Sequence, residues 1–166
     1  MTDYAQLYET TRTRLSEGTA TNPIRVAVSS RNEGGFRSRV SIRDFELVID
    51  QPKGFGGGNE GPKPSEVLLA ALASCQEITY RLYAAALGIP LDGVRVELTG
   101  TQDLRGFLGV DPETPAGFAK IEGTVHIDTP ADDAAVARLQ AMVDRHCPVL
   151  DDLRRPVDVS LTAKKA

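Results

Sequence analysis

The stretch GPKPSEVLLAALASC, residues 61–75, decides how the rest of the chain is organised. Pro64 suits the first position of a helix, where the backbone N–H that proline lacks would have no partner. Glu66 then falls in the first turn, where the helix dipole favours a carboxylate. The following residues are almost all apolar, and a Gly-Ile-Pro sequence ends the run, so we predict a helix from Pro64 to about Leu87. A helix that is apolar on all sides is usually buried, and this one carries Cys75.

Length and composition narrow the class of protein. A chain of 166 residues suits one domain, so we predict a single domain over residues 1–166. The net charge of −4 argues against nucleic acid as a partner, because phosphate binding requires clustered positive charge. No apolar run reaches the roughly 18 residues of a membrane span, and the N-terminus resembles no signal peptide. We therefore expect a cytoplasmic protein without a membrane partner, whose thiols stay reduced.

The region before the central helix predicts an arm followed by a β-meander. An apolar stripe within residues 3–17 predicts a helical arm, which we assign to residues 1–20. Alternating apolar residues predict three antiparallel strands. These strands cover residues 24–28, the segment from about Phe36 to Arg43, and residues 45–49. An arginine stripe, which includes Arg37, lies on one face of the second strand and is typical of a solvated sheet face.

Two loops receive different interpretations. Residues 51–63 contain a G-x-G-x-x-G pattern at Gly56, Gly58 and Gly61. Prolines follow the last glycine, where a dinucleotide-binding fold requires the helix to have begun, so we predict a flexible loop without a cofactor. Residues 103–117 form a long excursion, and long loops in compact domains often contribute to a site.

The elements after the central helix complete an α+β pattern. Alternation predicts strands around residues 94–98 and 119–127 and a closing strand at residues 157–161. A second helix is predicted to open at Thr129 and Pro130, with a short further helix after Pro148. Because runs of strands precede each helix, the pattern favours an α+β fold over a doubly wound parallel sheet.

The two cysteines, Cys75 and Cys147, are both predicted to lie on or near apolar helix faces. Two buried core thiols would fit this pattern, since free cysteine is among the most buried residue types. A reactive pair would also fit, because Pro148 places Cys147 at a helix N-terminus, where the dipole favours a thiolate. A sulfenic acid on one helix can condense with a thiol on another. The spacing alone leaves both alternatives open.

Two motifs together resemble the OsmC/Ohr family, the osmotically inducible protein C and organic hydroperoxide resistance proteins. The first is Pro62-x-Pro64 leading into EVLLAALASC, which ends at Cys75, and the second is the sequence HCPV around Cys147. The resemblance covers about residues 24–162 and leaves the N-terminal arm outside. It implies an OsmC-like α+β fold and an intertwined homodimer with two interface sites.

The resemblance also implies a reaction. Cys75 matches the peroxidatic cysteine and Cys147 the resolving cysteine of a peroxidase that reduces organic hydroperoxides without a cofactor or metal. An external dithiol of the lipoyl or thioredoxin type would regenerate the thiols. An arginine from the first hairpin, Arg31 or Arg37, would flank the reactive thiol. Such a protein would serve as an antioxidant under oxidative stress.

One departure from the family pattern keeps a second function open. In the peroxidase branches a glutamate lies ten positions before the reactive cysteine, and this chain has Ser65 there. Glu66, nine positions before, would point to the opposite side of an ideal helix from Cys75. The chain therefore fits a generic branch of the family, and a non-catalytic dimer that binds an apolar small molecule or a partner is the alternative. A thiol-dependent hydrolase is disfavoured, since neighbouring helical residues such as His146 and Cys147 face different directions.

Overall fold

The computed structural model describes residues 2–20 and 23–165. The elements, in chain order, are α1 (Tyr4–Ser16), β1 (Ser29–Gly34), β2 (Arg37–Ile42), β3 (Phe45–Ile49), a 3₁₀ turn (Lys53–Phe55), α2 (Pro64–Leu87), β4 (Gly93–Gln102), α3 (Leu104–Phe107), β5 (Phe118–Asp128), α4 (Asp133–His146) and α5 (Pro148–Arg154). Strands β1, β2 and β3 form one sheet, and β4 pairs with β5 in another. The α+β class and the helix predicted from Pro64 to Leu87 are confirmed.

The chain divides into two compact units. Unit 1 comprises Met1–Ala71 and Leu98–Gly123, and unit 2 comprises Leu72–Glu97 and Thr124–Ala166. The predicted single domain, with its arm at residues 1–20 and its core at residues 24–162, stays a prediction. Residues 1, 21, 22 and 166, which those predicted ranges include, lie outside the described residues.

The first sheet, in unit 1, is an antiparallel meander whose register brings Val40 opposite Leu47. Its first hairpin is fixed by Asn32, whose side-chain amide donates to the carbonyls of Gly35 and Arg37 at 3.0 and 3.1 Å. The Asn32 side-chain oxygen, Oδ1, in turn accepts from the Gly34 N–H. Strand β1 therefore extends to Gly34, and the hairpin turns at residues 35 and 36.

The glycine-rich loop of unit 1 is organised around a buried carboxylate. Asp50 is 1% exposed and accepts hydrogen bonds from the N–H groups of Gln51, Gly58 and Glu60 at 2.8, 2.8 and 3.2 Å. Gly57 passes so close to Gln51 that an added Cβ would lie 2.0 Å from the Gln51 carbonyl oxygen. The predicted flexible loop is thus a segment with its own hydrogen-bonded structure.

The core of unit 2 is formed by the later part of α2 and by α4. Its buried members are Tyr80, Ala84, Ile89, Leu139, Val143 and Cys147. The last three recur at intervals of four along α4, as a helix with one buried face requires. Helix α4 begins at Asp133, capped by the Asp132 side chain, so the start predicted at Thr129 and Pro130 is too early. The Thr129 hydroxyl instead donates to the carbonyl of Pro90 in the connecting segment.

Two predicted strands are wrong. Residues 24–28 and 157–161 alternate as strands do, yet neither segment pairs with another strand among the described residues. Their apolar side chains are exposed, reaching 82% for Val26 and 92% for Leu161. An extended segment becomes a strand only when a neighbour takes its backbone N–H and C=O groups, and residues 2–20 and 23–165 offer these segments no such neighbour.

Candidate active site

The two cysteines of unit 2 lie side by side. Cys75 is on α2, and Cys147 is the residue at which α4 ends and α5 begins. Pro148 occupies the first position of α5, as the sequence predicted. The Cys147 N–H donates to the Val143 carbonyl of α4, and the Cys147 carbonyl accepts from Asp151 of α5. These bonds hold the Cys147 backbone at the junction of the two helices.

The sulfur atoms of Cys75 and Cys147 are 3.3 Å apart, and the Cys147 thiol donates to the Cys75 sulfur. Both are free cysteines. Periodicity could place each cysteine on an apolar helix face but could not establish this contact. The structure therefore brings together two of the residues that the sequence analysis selected.

The two thiols differ in their surroundings. Cys147 is fully buried, whereas Cys75 is partly exposed. Burial raises the pKa of the Cys147 thiol, and the neighbouring Cys75 sulfur raises it further, although the Leu150 N–H and the Thr79 hydroxyl act in the opposite direction. The expected lowering at a helix N-terminus is thus outweighed by the loss of solvation. Cys147 remains a protonated thiol at neutral pH and can donate to Cys75.

Polar and aromatic groups complete the surroundings of the pair. The Thr79 hydroxyl, on a buried residue, donates to the Cys75 carbonyl at 2.7 Å. Burial, together with the nearby Asp144, raises the pKa of Tyr80 to about 12, so the phenol stays neutral. His146 stacks on Tyr83 with ring centroids 5.1 Å apart. The prediction that His146 does not pair with Cys147 stays a prediction.

The two candidate arginines belong to unit 1, where both pair with Glu33. Arg31 and Arg37 each form an ion pair with this carboxylate, and Arg39 donates to it at 2.7 Å. Arg39, followed by Arg31, lowers the pKa of Glu33, so the carboxylate stays ionised. Arg37 also forms an ion pair with Glu60, with 2.8 Å between Nε and the carboxylate oxygen, although the orientation gives the buried Nε no hydrogen bond within the described residues. The side chain of Arg31 is 69% exposed and that of Arg37 only 28%, so Arg37 is the more firmly held of the two.

The start of α2 shows what Ser65 and Glu66 do. The Glu66 carboxylate accepts from the Lys63 N–H at 3.0 Å, which is the return bond of a capping box. The sequence prediction of a first-turn carboxylate is therefore confirmed. Ser65 lines a cavity of unit 1.

The sequence patterns did not predict a role for Asp50. An aspartate between a strand and a glycine-rich loop is nevertheless a recognisable signal for a turn anchored by a side chain.

No group of acidic, histidine or cysteine side chains in the described ranges could hold a metal ion. His126 instead lies 3.1 Å from Glu97 on an exposed face of unit 2. Among helices within residues 2–20 and 23–165, none is both long and apolar enough to cross a membrane.

Comparison with known proteins identifies the family. A sequence model described as OsmC-like protein matches residues 56–162, a range that includes both cysteines. The chain belongs to the OsmC-like family. No curated protein matches it.

Solved structures of OsmC-like and organic hydroperoxide resistance proteins share the fold. An OsmC-like protein from Mycoplasma pneumoniae has 22% sequence identity and a TM-score of 0.68, over 79% of this chain and 88% of that one. An organic hydroperoxide resistance protein OsmC from Legionella pneumophila has 22% identity and a TM-score of 0.61, over 83% and 95%. The organic hydroperoxide resistance protein OhrB of Bacillus subtilis has 23% identity and a TM-score of 0.55, over 85% and 98%. At these identities the likeness establishes the fold alone.

Proposed function

We propose that this OsmC-like protein is a cytoplasmic, thiol-dependent peroxidase that reduces organic hydroperoxides through Cys75 and Cys147. The observation that carries the proposal is the 3.3 Å contact between a partly exposed and a fully buried thiol. A disulfide needs a sulfur–sulfur distance of roughly 2.05 Å, so a small shift would join the two. Cys75 is the more accessible of the two residues to a peroxide, which supports its assignment to the first step.

The reaction balances without a cofactor. The Cys75 thiolate attacks the distal oxygen of the hydroperoxide, the O–O bond breaks, and the alkoxide leaves and takes a proton to become an alcohol. The resulting sulfenic acid condenses with the Cys147 thiol, which forms the disulfide and releases water. An external dithiol, of the lipoyl or thioredoxin type, then exchanges with the disulfide and is itself oxidised.

The protonated state of Cys147 supports its assignment as the resolving thiol. Its pKa is raised by burial, so it keeps its proton and donates it towards the Cys75 sulfur. Its burial also shields Cys147 from direct attack by peroxide.

Of the two arginines, we propose that Arg37 binds the peroxide oxygens and that Arg31 is the weaker candidate. A guanidinium that acts on a reacting group needs a fixed position, and Glu33 and Glu60 supply it for Arg37. These carboxylates would take the role that the family glutamate has in the peroxidase branches, where this chain has Ser65. We expect Arg37→Met to lower kcat/KM by tenfold or more and Arg31→Met to change it little. An equal loss in both variants would remove the assignment to Arg37.

A homodimer is part of the proposal. In the described part of the chain, the segments 24–28 and 157–161 expose alternating apolar side chains and pair with no strand, as free edges do before a second copy completes the sheet. Light scattering should give twice the 17.9 kDa chain mass. Val26→Glu combined with Leu161→Glu should yield a monomer, and a monomeric wild type would contradict this part of the proposal.

Activity measurements test the chemistry. With cumene hydroperoxide and dihydrolipoamide, wild type should consume peroxide and the Cys75→Ser variant should fall to the uncatalysed rate. In Cys147→Ser, a single equivalent of peroxide should leave a sulfenic acid on Cys75 that dimedone traps. If Cys75→Ser retains full activity, the assignment of the peroxidatic residue is wrong.

The alternative, a non-catalytic dimer that binds an apolar small molecule or partner, is favoured by one specific observation. Cys147 packs among the core residues of unit 2, as an inert cysteine would. The dimedone experiment separates the two functions, because a purely structural Cys75 would form no trappable sulfenic acid at one equivalent of peroxide.

A further inference from the structure

Unit 1 contains a cavity of about 280 Å³ whose lining includes neither Cys75 nor Cys147. Its walls come from the β1–β2 turn, the glycine-rich loop, the start of α2 and the segment around α3. Three aromatic and three polar residues of the lining define its chemistry: Phe36, Phe55, Phe107, Lys63, Ser65 and Gln102. All belong to unit 1.

We propose that this cavity binds a small aromatic carboxylate, with the ring among the phenylalanines and the carboxylate at Lys63. Mostly apolar walls with a few polar groups at one place are typical of small-molecule sites. The volume lies near the lower end of the roughly 300–1,000 Å³ usual for such sites, so it suits a single ring with a short side chain.

The apolar walls of the cavity indicate that the ligand contains an aromatic ring. Phe36, Phe55 and Phe107 are 58%, 48% and 61% exposed, although large aromatic side chains normally gain from burial. Three rings around one concavity offer edge-to-face and offset-stacked contacts, which a planar aromatic ligand satisfies better than an alkyl chain. A ligand in the cavity would cover aromatic surface that the described residues leave open.

The polar residues of the cavity lining indicate that the ligand carries a carboxylate. In the described part of the chain Lys63 forms no ion pair; Glu66 accepts from the Lys63 backbone N–H, and Glu60 pairs with Arg37. The N-terminal end of the 24-residue helix α2 adds a positive potential at the same place. Ser65 and Gln102 supply neutral hydrogen-bonding groups, of which the Gln102 amide already donates to the Ala116 carbonyl.

The first test compares two probes that differ only in charge. In the Cys75→Ser protein, which removes the peroxidase chemistry, calorimetric titration should show 3-phenylpropanoate binding with a Kd on the order of 1 mM or tighter. The neutral 3-phenylpropanol should bind about tenfold more weakly. The difference should shrink as salt is raised, since Lys63 is partly exposed.

Matched variants locate the site. Lys63→Met should reduce the affinity for 3-phenylpropanoate about tenfold, whereas Lys53→Met, on the same loop but outside the cavity lining, should leave it unchanged. Phe107→Ala should weaken both probes, and Phe45→Ala, an equally exposed phenylalanine outside the lining, should weaken neither.

Three results would overturn the proposal: equal affinity for the acid and the alcohol, equal losses in Lys63→Met and Lys53→Met, or no saturable binding up to about 10 mM. Because every titration uses the Cys75→Ser background, these outcomes are independent of whether the protein is a peroxidase.

Discussion

The cysteine region of unit 2 and the glycine-rich loop of unit 1 are held by opposite means. Around Cys147 the stabilising contacts are apolar, from Leu139, Val143 and their neighbours, which are fully buried. In the loop a single carboxylate, Asp50, gathers backbone N–H groups, and the glycines permit the close approach of the chain to itself. The first arrangement tolerates changes in polarity poorly, and the second tolerates changes in backbone geometry poorly.

The largest effect should come from the apolar region. Leu139 is fully buried, so Leu139→Ala should lower the free energy of unfolding by about 3–4 kcal/mol, through lost transfer energy and a residual cavity. Chemical denaturation measures the change. The exposed position Leu153 is the control, where Leu153→Ala should stay within about 1 kcal/mol. Similar losses in the two variants would mean that α4 does not carry the core.

In the loop, Gly57→Ala should destabilise the protein by about 2–3 kcal/mol. The added Cβ would lie 2.0 Å from the Gln51 carbonyl oxygen, so the backbone must shift. Gly54→Ala is the matched control, because nothing lies within 4 Å of its Cβ position. If Gly54→Ala and Gly57→Ala unfold at the same denaturant concentration, the loop is not held as described.

The burial difference between the thiols predicts their order of modification. Iodoacetamide at neutral pH should alkylate Cys75 at least tenfold faster than Cys147, which is buried and whose pKa is raised. Peptide mass spectrometry over time measures both rates. Simultaneous modification would show that α5 opens readily and that Cys147 is not sheltered.

A pH dependence should trace to Asp50. Its pKa is lowered, first by the hydrogen bond from the Glu60 N–H and then by those from Gln51 and Gly58. A carboxyl whose folded pKa lies below its unfolded value, about 3.9, stabilises the fold above that value and loses this contribution as the pH falls through the folded pKa. Unfolding experiments between pH 7 and pH 2.5 should therefore show a shallower decline in Asp50→Asn than in wild type. An identical decline would remove Asp50 from this role.

The sequence predicts the features that depend on neighbouring residues and does not predict the distances that depend on how helices pack. Helix α2, strands β2 and β3 and the α4–α5 junction at Cys147 follow from periodicity, prolines and caps, which act over a few residues. The 3.3 Å contact between residues 72 positions apart depends on how helices pack, and no local pattern encodes that distance. The roles of Arg31 and Arg37 remain predictions for the same reason.

The missed features have physical causes as well. Residues 24–28 and 157–161 have the alternation of strands, but pairing needs a neighbouring strand, which their own sequence cannot supply. The role of Asp50 was not predicted, because a high glycine content favours a flexible loop. A single buried carboxylate can nevertheless fix such a loop by accepting hydrogen bonds from its backbone N–H groups.

Intact-mass and peptide mass spectrometry of the reduced protein after one equivalent of cumene hydroperoxide tests whether Cys75 and Cys147 form a redox pair. We expect the loss of two hydrogen atoms and a single linked peptide pair containing Cys75 and Cys147, reversed by dihydrolipoamide. Two free thiols in the wild-type protein after the peroxide has been added and incubated would contradict it.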